Sequence, residues 1–530
     1  MGGYRQSRGF VRQIGEQLSD AKSTPFELLD HQRLGHTAAL AAVRNALFDE
    51  QQLAKTPRKI VVIIEGPPGS GKSVIAARLS ASLVQMSDLC EGDVVVSSTS
   101  TAQEHNWKAL FSLASGDRAA GGVVKKATGY SPYTTHDIGK MKKDYPGQFD
   151  GIANWRENND LARKLGLRAR LEDDAYLVSI VDEAHALINP EHSDARGQFG
   201  FPVQFGPLGY HIIRGSVVSV FLLDGKQSFR ERETTTAAEI TQWATELGAE
   251  VLPTVSLEGA QFRCGGSAEY VSWVEAVLGG VPSSRCRNLA KFCGKGGIQV
   301  PGDTPVAAEP GVPYRIGAAP FQPRPMFDFV VCETPKELEH RLREKVKGGY
   351  SARLVASYAR KWVTEKATLP HGLPAKNMDF HVSCIEDGRQ SSWSRIWNHR
   401  DLKHGYAGFV QGLPGTKMGE DPLCEVGCPY TVRGFDYDFI GLLWFKDVRR
   451  QKALWRVDPA QVYESGLTRH IQRAKKEEDP DGPAHRDLRD KLLQGYRILL
   501  TRAIRGVYCW FEDDETRKYI EECLGVRRAP

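Results

Sequence analysis

The chain has 530 residues, 41% hydrophobic and 25% charged, and a net charge of +5. That length exceeds what one compact core serves, so two or three domains are expected in an ordinary soluble protein. No apolar run reaches the length of a membrane span, and ten scattered cysteines are too few for a disulfide framework. The opening MGGYRQSRGF has neither the apolar core of a secretory leader nor, with Gln6 in place of Ser or Thr, a myristoylation signal. A reducing, cytoplasmic setting without a membrane is expected. Cys424 and Cys428, or Cys286 and Cys293, would each be half of a zinc site. No second Cys/His pair stands beside either at ligand spacing, which argues against a cysteine-held metal.

Residues 1–54 form an N-terminal arm, polar to about residue 24. Helical spacing of Leu28, Leu29, Leu34, Ala38, Leu40, Ala41, Val43 and Leu47 then predicts one or two helices. Gln32 lies about thirty residues before the next strand, where a glutamine can grip an adenine edge; an exposed helical glutamine is the alternative. From Lys59 to Ser73 the chain reads KIVVIIEGPPGSGKS, an apolar strand running into a glycine-rich turn and then a helix. Gly66, Gly69 and Gly71 let backbone N–H groups curl around phosphate oxygens, and the helix N-terminus favours the same anion. Lys72 is predicted to balance the β and γ phosphates of ATP, and Ser73 to ligate Mg²⁺.

Asp93–Thr101 reads as a buried strand ending in hydroxyls. Ser98 and Thr99 would face the ligand crevice and reach a sugar–phosphate backbone, a plain Ser/Thr turn being the alternative. From Asn106 to Arg170 twelve Lys/Arg stand against six Asp/Glu, interleaved with Trp107, Phe111, Tyr130, Tyr133, Tyr145, Phe149 and Trp155. Such a segment suits phosphate tracking and base stacking, or equally a solvated face over a small core. A third strand, Tyr176–Val181, delivers Asp182 and Glu183 to its tip. One carboxylate is expected on Mg²⁺ and the other is poised to orient or deprotonate water. A fourth strand, Ser216–Leu223, is followed by Gln227 at the same crevice rim. Strands alternating with helices argue for an α/β chain with a doubly wound parallel sheet.

The phosphate loop, the strand ending DEAH, the D-x-x-Q after the next strand, and QFR at 261–263 resemble motifs I to IV of superfamily 1 helicases. VSVFLLDGKQSFRERET and LEGAQFRCGGSAEYVSWVEAVL resemble, more narrowly, the Schlafen-like ATPases. The resemblance implies a P-loop NTPase with two tandem RecA-like domains, at 55–262 and 326–525, and Arg263 reaching the γ-phosphate.

Residues 263–325, rich in Gly and Pro after Ser283, read as a linker or crossing. A second alternating pattern opens at Phe327, and the stretch 363–422 reads as an insertion. TVRGFD at 431–436 is similar to motif V, with Arg433 and Asp436 where the family carries Gln and Glu. The resemblance implies a nucleotide contact by Gly434 and Asp436, and nucleic-acid contacts by Thr431 and Arg433. TRAIR at 501–505 resembles motif VI. Arg502 is then the finger on the γ-phosphate and Arg505 its substitute, because transition-state charge needs a cation there. The expected activity is an ATP- and Mg²⁺-dependent translocase or helicase on DNA or RNA, single-stranded or with a single-stranded end. The alternative is a nucleic-acid-sensing ATPase clamp, related to antiviral defence, that regulates a nuclease or other effector partner. A weaker third reading is a nucleotide-dependent assembly protein.

Overall fold

The computed structural model describes residues 30–48, 59–67, 69–84, 94–115, 124–149, 154–192, 202–224, 235–257, 268–292, 298–299, 327–367, 369–386, 388–399, 407–413, 415–432 and 437–525. The chain divides into two compact units, one spanning Ile14–Ala260 and the other built mainly from Gln261–Pro530. Among the described residues no helix is long and apolar enough to cross a membrane.

In the first unit, α1 (Asp30–Phe48) packs on β1 (Ile60–Glu65) and α2 (Lys72–Val84) through buried Ala39, Ala42 and Val43. Then follow β2 (Val94–Ser98), α3 (Thr101–Ser115), β3 (Val124–Lys126), α4 (Thr135–Asp144), α5 (Trp155–Lys164) and β4 (Tyr176–Val181). The unit closes with α6 (Leu208–Arg214), β5 (Ser216–Leu223), α7 (Ala237–Glu246), β6 (Glu250–Val251) and β7 (Val255–Ser256). The strands form one sheet in the order β3-β2-β4-β5-β1-β6, with β7 also on β1, and these pairings are parallel. Such strands are covered on both faces, which is why β1 is apolar from Ile60 to Ile64 and β5 is apolar apart from Ser216 and Ser219. Register aligns Ile63 of β1, Phe221 of β5 and Val181 of β4, so the loop after β1 and the carboxylates after β4 emerge at one end of the sheet.

The basic–aromatic segment folds differently from its base-stacking expectation. Tyr130, Tyr133, Phe149 and Trp155 are buried, and Tyr133 and Phe149 share a cluster with Ile138, Met141, Ala162 and Phe205. Tyr130 Oη lies 2.8 Å from Ser179 Oγ, and Trp155 Nε1 donates to Glu191 Oε1 at 2.6 Å. The rings therefore build the core, while Lys140, Lys142 and Lys143 of α4 stay exposed.

The second unit begins earlier than the expected boundary at 326. Within the stretch read as a linker, α8 (Ala268–Leu278) and α9 (Ser283–Phe292) form, with the short β8 (Ile298–Gln299) after them. Tyr270, Trp273, Val274 and Val277 recur at helical spacing and are buried. The Tyr270 ring centroid lies 4.2 Å from that of Phe327, its hydroxyl donates to Leu500 O at 3.1 Å, and Trp273 Nε1 donates to Cys523 O at 3.4 Å. Burial of these large rings is what draws the helices into the unit.

Next come β9 (Phe327–Cys332), α10 (Pro335–Lys347), β10 (Ala352–Ala356), β11 (Phe380–Glu386), β12 (Arg389–Trp397), β13 (Glu425–Gly427) and β14 (Tyr437–Trp444). A hairpin of β15 (Val448–Gln451) and β16 (Leu454–Val457) precedes α11 (Thr468–Lys476), α12 (Pro483–Leu500), β17 (Ala503–Phe511) and α13 (Asp514–Leu524). The sheet order is β11-β12-β13-β10-β14-β17-β9-β8, parallel except for the β11–β12 hairpin. The expected insertion at 363–422 thus supplies two strands of the sheet itself. The Asp379 carboxylate secures it, accepting from the backbone N–H of Val363 (2.7 Å), Thr364 (2.9 Å) and Trp397 (2.8 Å).

Candidate nucleotide site

The glycine-rich loop is built from backbone requirements. Gly69 and Gly71 have φ of +82° and +85°, a left-handed conformation that glycine adopts at little cost. A Cβ on Gly66 would fall on Ser70 Oγ and lie 2.8 Å from Leu257 Cβ, so only a hydrogen fits. Lys72 Nζ donates to Gly66 O at 2.7 Å and Pro67 O at 3.0 Å, placing the ammonium against the loop. Gln32, expected on an adenine edge, is instead buried with its Nε2 donating to Ser70 O at 2.8 Å. It braces the phosphate loop from α1.

Ser73 Oγ, in the first turn of α2, donates to Asp182 Oδ2 at 2.9 Å. The helix following β1 and the tip of β4 thereby bring together the two groups assigned to a metal. Both donors are oxygen, as Mg²⁺ requires, so the residues present fit the ion. Burial, and then the neighbouring Glu183 charge, push the Asp182 carboxyl up to about 7, against the Ser73 hydroxyl and the Lys72 charge. Glu183 N–H donates to Asp182 Oδ1 at 3.0 Å.

Glu183 itself is buried and holds φ at +55°, a strained conformation for a non-glycine residue. His185, the last residue of the DEAH stretch, lies beside it. Its Nδ1 accepts the Asp224 N–H at 3.1 Å, which leaves the proton on Nε2, 3.1 Å from Glu183 Oε2. The end of β5 thus orients the imidazole, and the imidazole faces the carboxylate at the end of β4. Only the DEAH pattern could have signalled this, because the partner is a backbone amide.

Other predicted residues divide into three groups. Ser98 and Thr99 do sit at the carboxyl end of the sheet, just past the paired Ser97 and Val181. Their hydroxyls serve the fold: Ser98 Oγ donates to Lys125 O at 3.3 Å, and Thr99 Oγ1 donates to Gln103 Oε1 at 2.6 Å. Trp107 is buried in α3 and presents no face for a base, contrary to expectation. Within the second unit, Thr431 is also buried, its Oγ1 accepting from Cys428 N–H at 2.8 Å and lying 3.3 Å from Asn398 Oδ1. Arg502 is fully buried at the turn between α12 and β17. Arg505, expected as its substitute on the nucleotide, donates from Nε to Asp438 Oδ1 at 3.0 Å, an ion pair that holds β17 to β14. Gln227, Arg263, Arg433, Gly434 and Asp436 lie outside the described residues.

A glycine-rich loop after β1, an Asp–Glu pair after β4, and β5 between those two strands define a RecA-like P-loop fold, carried in tandem with a second α/β unit. A family model for the Schlafen group 3 DNA/RNA helicase domain matches residues 59–290 and 312–513, and the chain belongs to that family. Solved structures similar to it include an arterivirus nonstructural protein 10, a helicase, at 10% identity and a TM-score of 0.29 over 87% of this chain. The chain spans 61% of the length of that protein. Another is S. cerevisiae Dbp5 bound to RNA and ADP BeF3, at 10% identity and a TM-score of 0.28, covering 94% of this chain and 93% of that one. No curated protein matches the chain.

Proposed function

We propose that the chain is an ATP-dependent translocase or helicase acting on DNA or RNA with a single-stranded part. One observation carries this reading: the 2.9 Å pairing of Ser73 with Asp182, with Glu183 next in the chain. In it, Lys72 balances the charge of the β and γ phosphates, while Ser73 and Asp182 hold Mg²⁺. The ion, when bound, neutralises charge on the phosphate oxygens. Glu183, next to Asp182 at the tip of β4, orients the attacking water and takes its proton. Arg502 of the second unit is the proposed cation for transition-state charge, with Gln227 and Arg263 as γ-phosphate contacts and Gly434 and Asp436 as further nucleotide contacts. Arg433 is proposed to touch the nucleic-acid backbone.

A second reading is a nucleic-acid-sensing ATPase clamp that regulates an effector partner, such as a nuclease, in defence. It is favoured by the burial of Tyr130, Tyr133, Phe149 and Trp155, which removes these four rings from any base-stacking surface beside the exposed lysines. Measuring ATP turnover with single-stranded and duplex DNA and RNA, alongside displacement of an annealed strand, separates the two. Stimulated turnover with displacement supports the motor, and stimulated turnover without displacement supports the clamp. Turnover indifferent to every nucleic acid overturns both.

A further inference from the structure

Away from the nucleotide site, three donor groups of different chemistry meet inside the second unit. His371 stands in the turn Pro370–Gly372, Cys424 directly precedes β13, and Glu425 is the first residue of that strand. One donor atom from each lies within 4.8 Å of the other two. His371 Nε2 is 2.8 Å from Glu425 Oε1. Glu425 is only 3% exposed, and its second carboxylate oxygen, Oε2, is buried without a hydrogen-bond partner. A buried acceptor left so costs about 1–3 kcal/mol, more for a charged group, so a single imidazole does not meet this carboxylate's needs. Among the described residues, the Cys424 thiol has the soft Met418 Sδ, at 3.5 Å, as its hydrogen-bonding neighbour. Edge-on to His371 lies a second imidazole, His399, with ring centroids 5.7 Å apart.

We propose that His371, Cys424 and Glu425 bind one divalent transition-metal ion of the zinc class. An imidazole nitrogen, a thiolate sulfur and a carboxylate oxygen form a mixed donor set that suits zinc and that magnesium or calcium would refuse. Charge balances as well. On binding, the Cys424 S–H proton leaves to solvent and three bonds form, from metal to sulfur, nitrogen and oxygen. Thiolate and carboxylate together then offset the dication, and neutral His371 adds none. A water completes four-coordination.

The ion would clip the turn at 370–372 to β13, which pairs with β10 and β12 and leads into the buried Thr431 turn. Sequence spacing points to Cys428 as the partner of Cys424, and the fold takes it elsewhere. Tyr358 Oη donates to Cys428 Sγ at 3.1 Å.

The test uses the full chain, stripped with a chelator, dialysed against Zn²⁺ alone and then gel-filtered, with metal counted by mass spectrometry. One zinc per chain is expected. In the Co²⁺-loaded protein a thiolate-to-metal charge-transfer band should appear and vanish in Cys424→Ser. Zinc affinity should fall at least about tenfold in His371→Ala and in the shape-preserving Glu425→Gln. Circular dichroism establishes that each variant is folded, and Glu425→Gln decides the matter if Cys424→Ser is not. Failure of the wild-type chain to retain stoichiometric zinc overturns the proposal, as does retention unchanged in folded Glu425→Gln.

Discussion

Two stretches of the first unit carry functional residue types in sequence, the phosphate loop with its Asp–Glu pair and the basic–aromatic segment that reads equally as a solvated face, and the fold puts them to different uses. The loop after β1 and the carboxylates after β4 converge, so that Ser73 touches Asp182 across 109 residues of chain. The segment from Asn106 to Arg170 turns Trp107, Tyr130, Tyr133, Phe149 and Trp155 inward, and Trp155 ends fully buried against Tyr210 with centroids 4.6 Å apart. The difference is one of information. A phosphate loop and a strand-borne Asp–Glu pair each prescribe a local geometry that a parallel sheet brings into register. Interleaved charge and aromatic content prescribes none, and burial of large apolar rings settles their direction.

The sharpest way to press this contrast is Glu183→Gln. It should lower ATP turnover by about 10³-fold, roughly 4 kcal/mol of barrier, while nucleotide binding measured by fluorescence persists. Lost binding instead would mean that Glu183 holds the loop rather than water. Next in size is Trp155→Ala, expected to cost about 3–5 kcal/mol of stability in denaturant unfolding. Nucleic-acid affinity should be unchanged wherever the variant stays folded. Reduced affinity at full stability would restore the stacking role that the burial denies. The smallest effect is expected from replacing Lys140, Lys142 and Lys143 together by Ala. Stability should move by no more than about 0.5 kcal/mol. The slope of log affinity against log salt should become shallower by up to about three, since each phosphate contact contributes close to one. An unaltered slope would place the nucleic-acid path elsewhere.

Much of the fold was legible because β1, β4, β5, β9 and β10 are predominantly apolar, as strands covered on both faces tend to be. Of the candidate nucleotide site, the convergence of Ser73 on Asp182 was legible because the glycine-rich loop and the strand-borne Asp–Glu pair each prescribe a local geometry. The site was not legible where the partner is main chain: Gln32 on Ser70 O, and Asp224 N–H on His185, leave no side-chain pattern to read. The linker reading of 263–325 gave weight to glycine and proline over the helical recurrence of Tyr270, Trp273, Val274 and Val277. Those side chains carry α8 into the second unit. Strand β11 does alternate Phe380, Val382 and Cys384 with His381 and Ser383, but the Trp, Gly, His and Pro around it read as an insertion, and β12 opens on four polar residues, Arg389–Ser392. Arg505 and Thr431 show a further limit, since a motif names a residue and the fold can still spend it on an ion pair or a buried turn.

The account rests on the loop at Gly66–Ser73 being a catalytic nucleotide site coupled to nucleic acid. Its most direct test is ATP turnover by the wild-type chain and by Lys72→Ala, each with and without a single-stranded oligonucleotide. The wild-type rate should rise with the strand, and the variant should lose about 10²–10³-fold or more under both conditions. Turnover by Lys72→Ala equal to that of the wild type would contradict it.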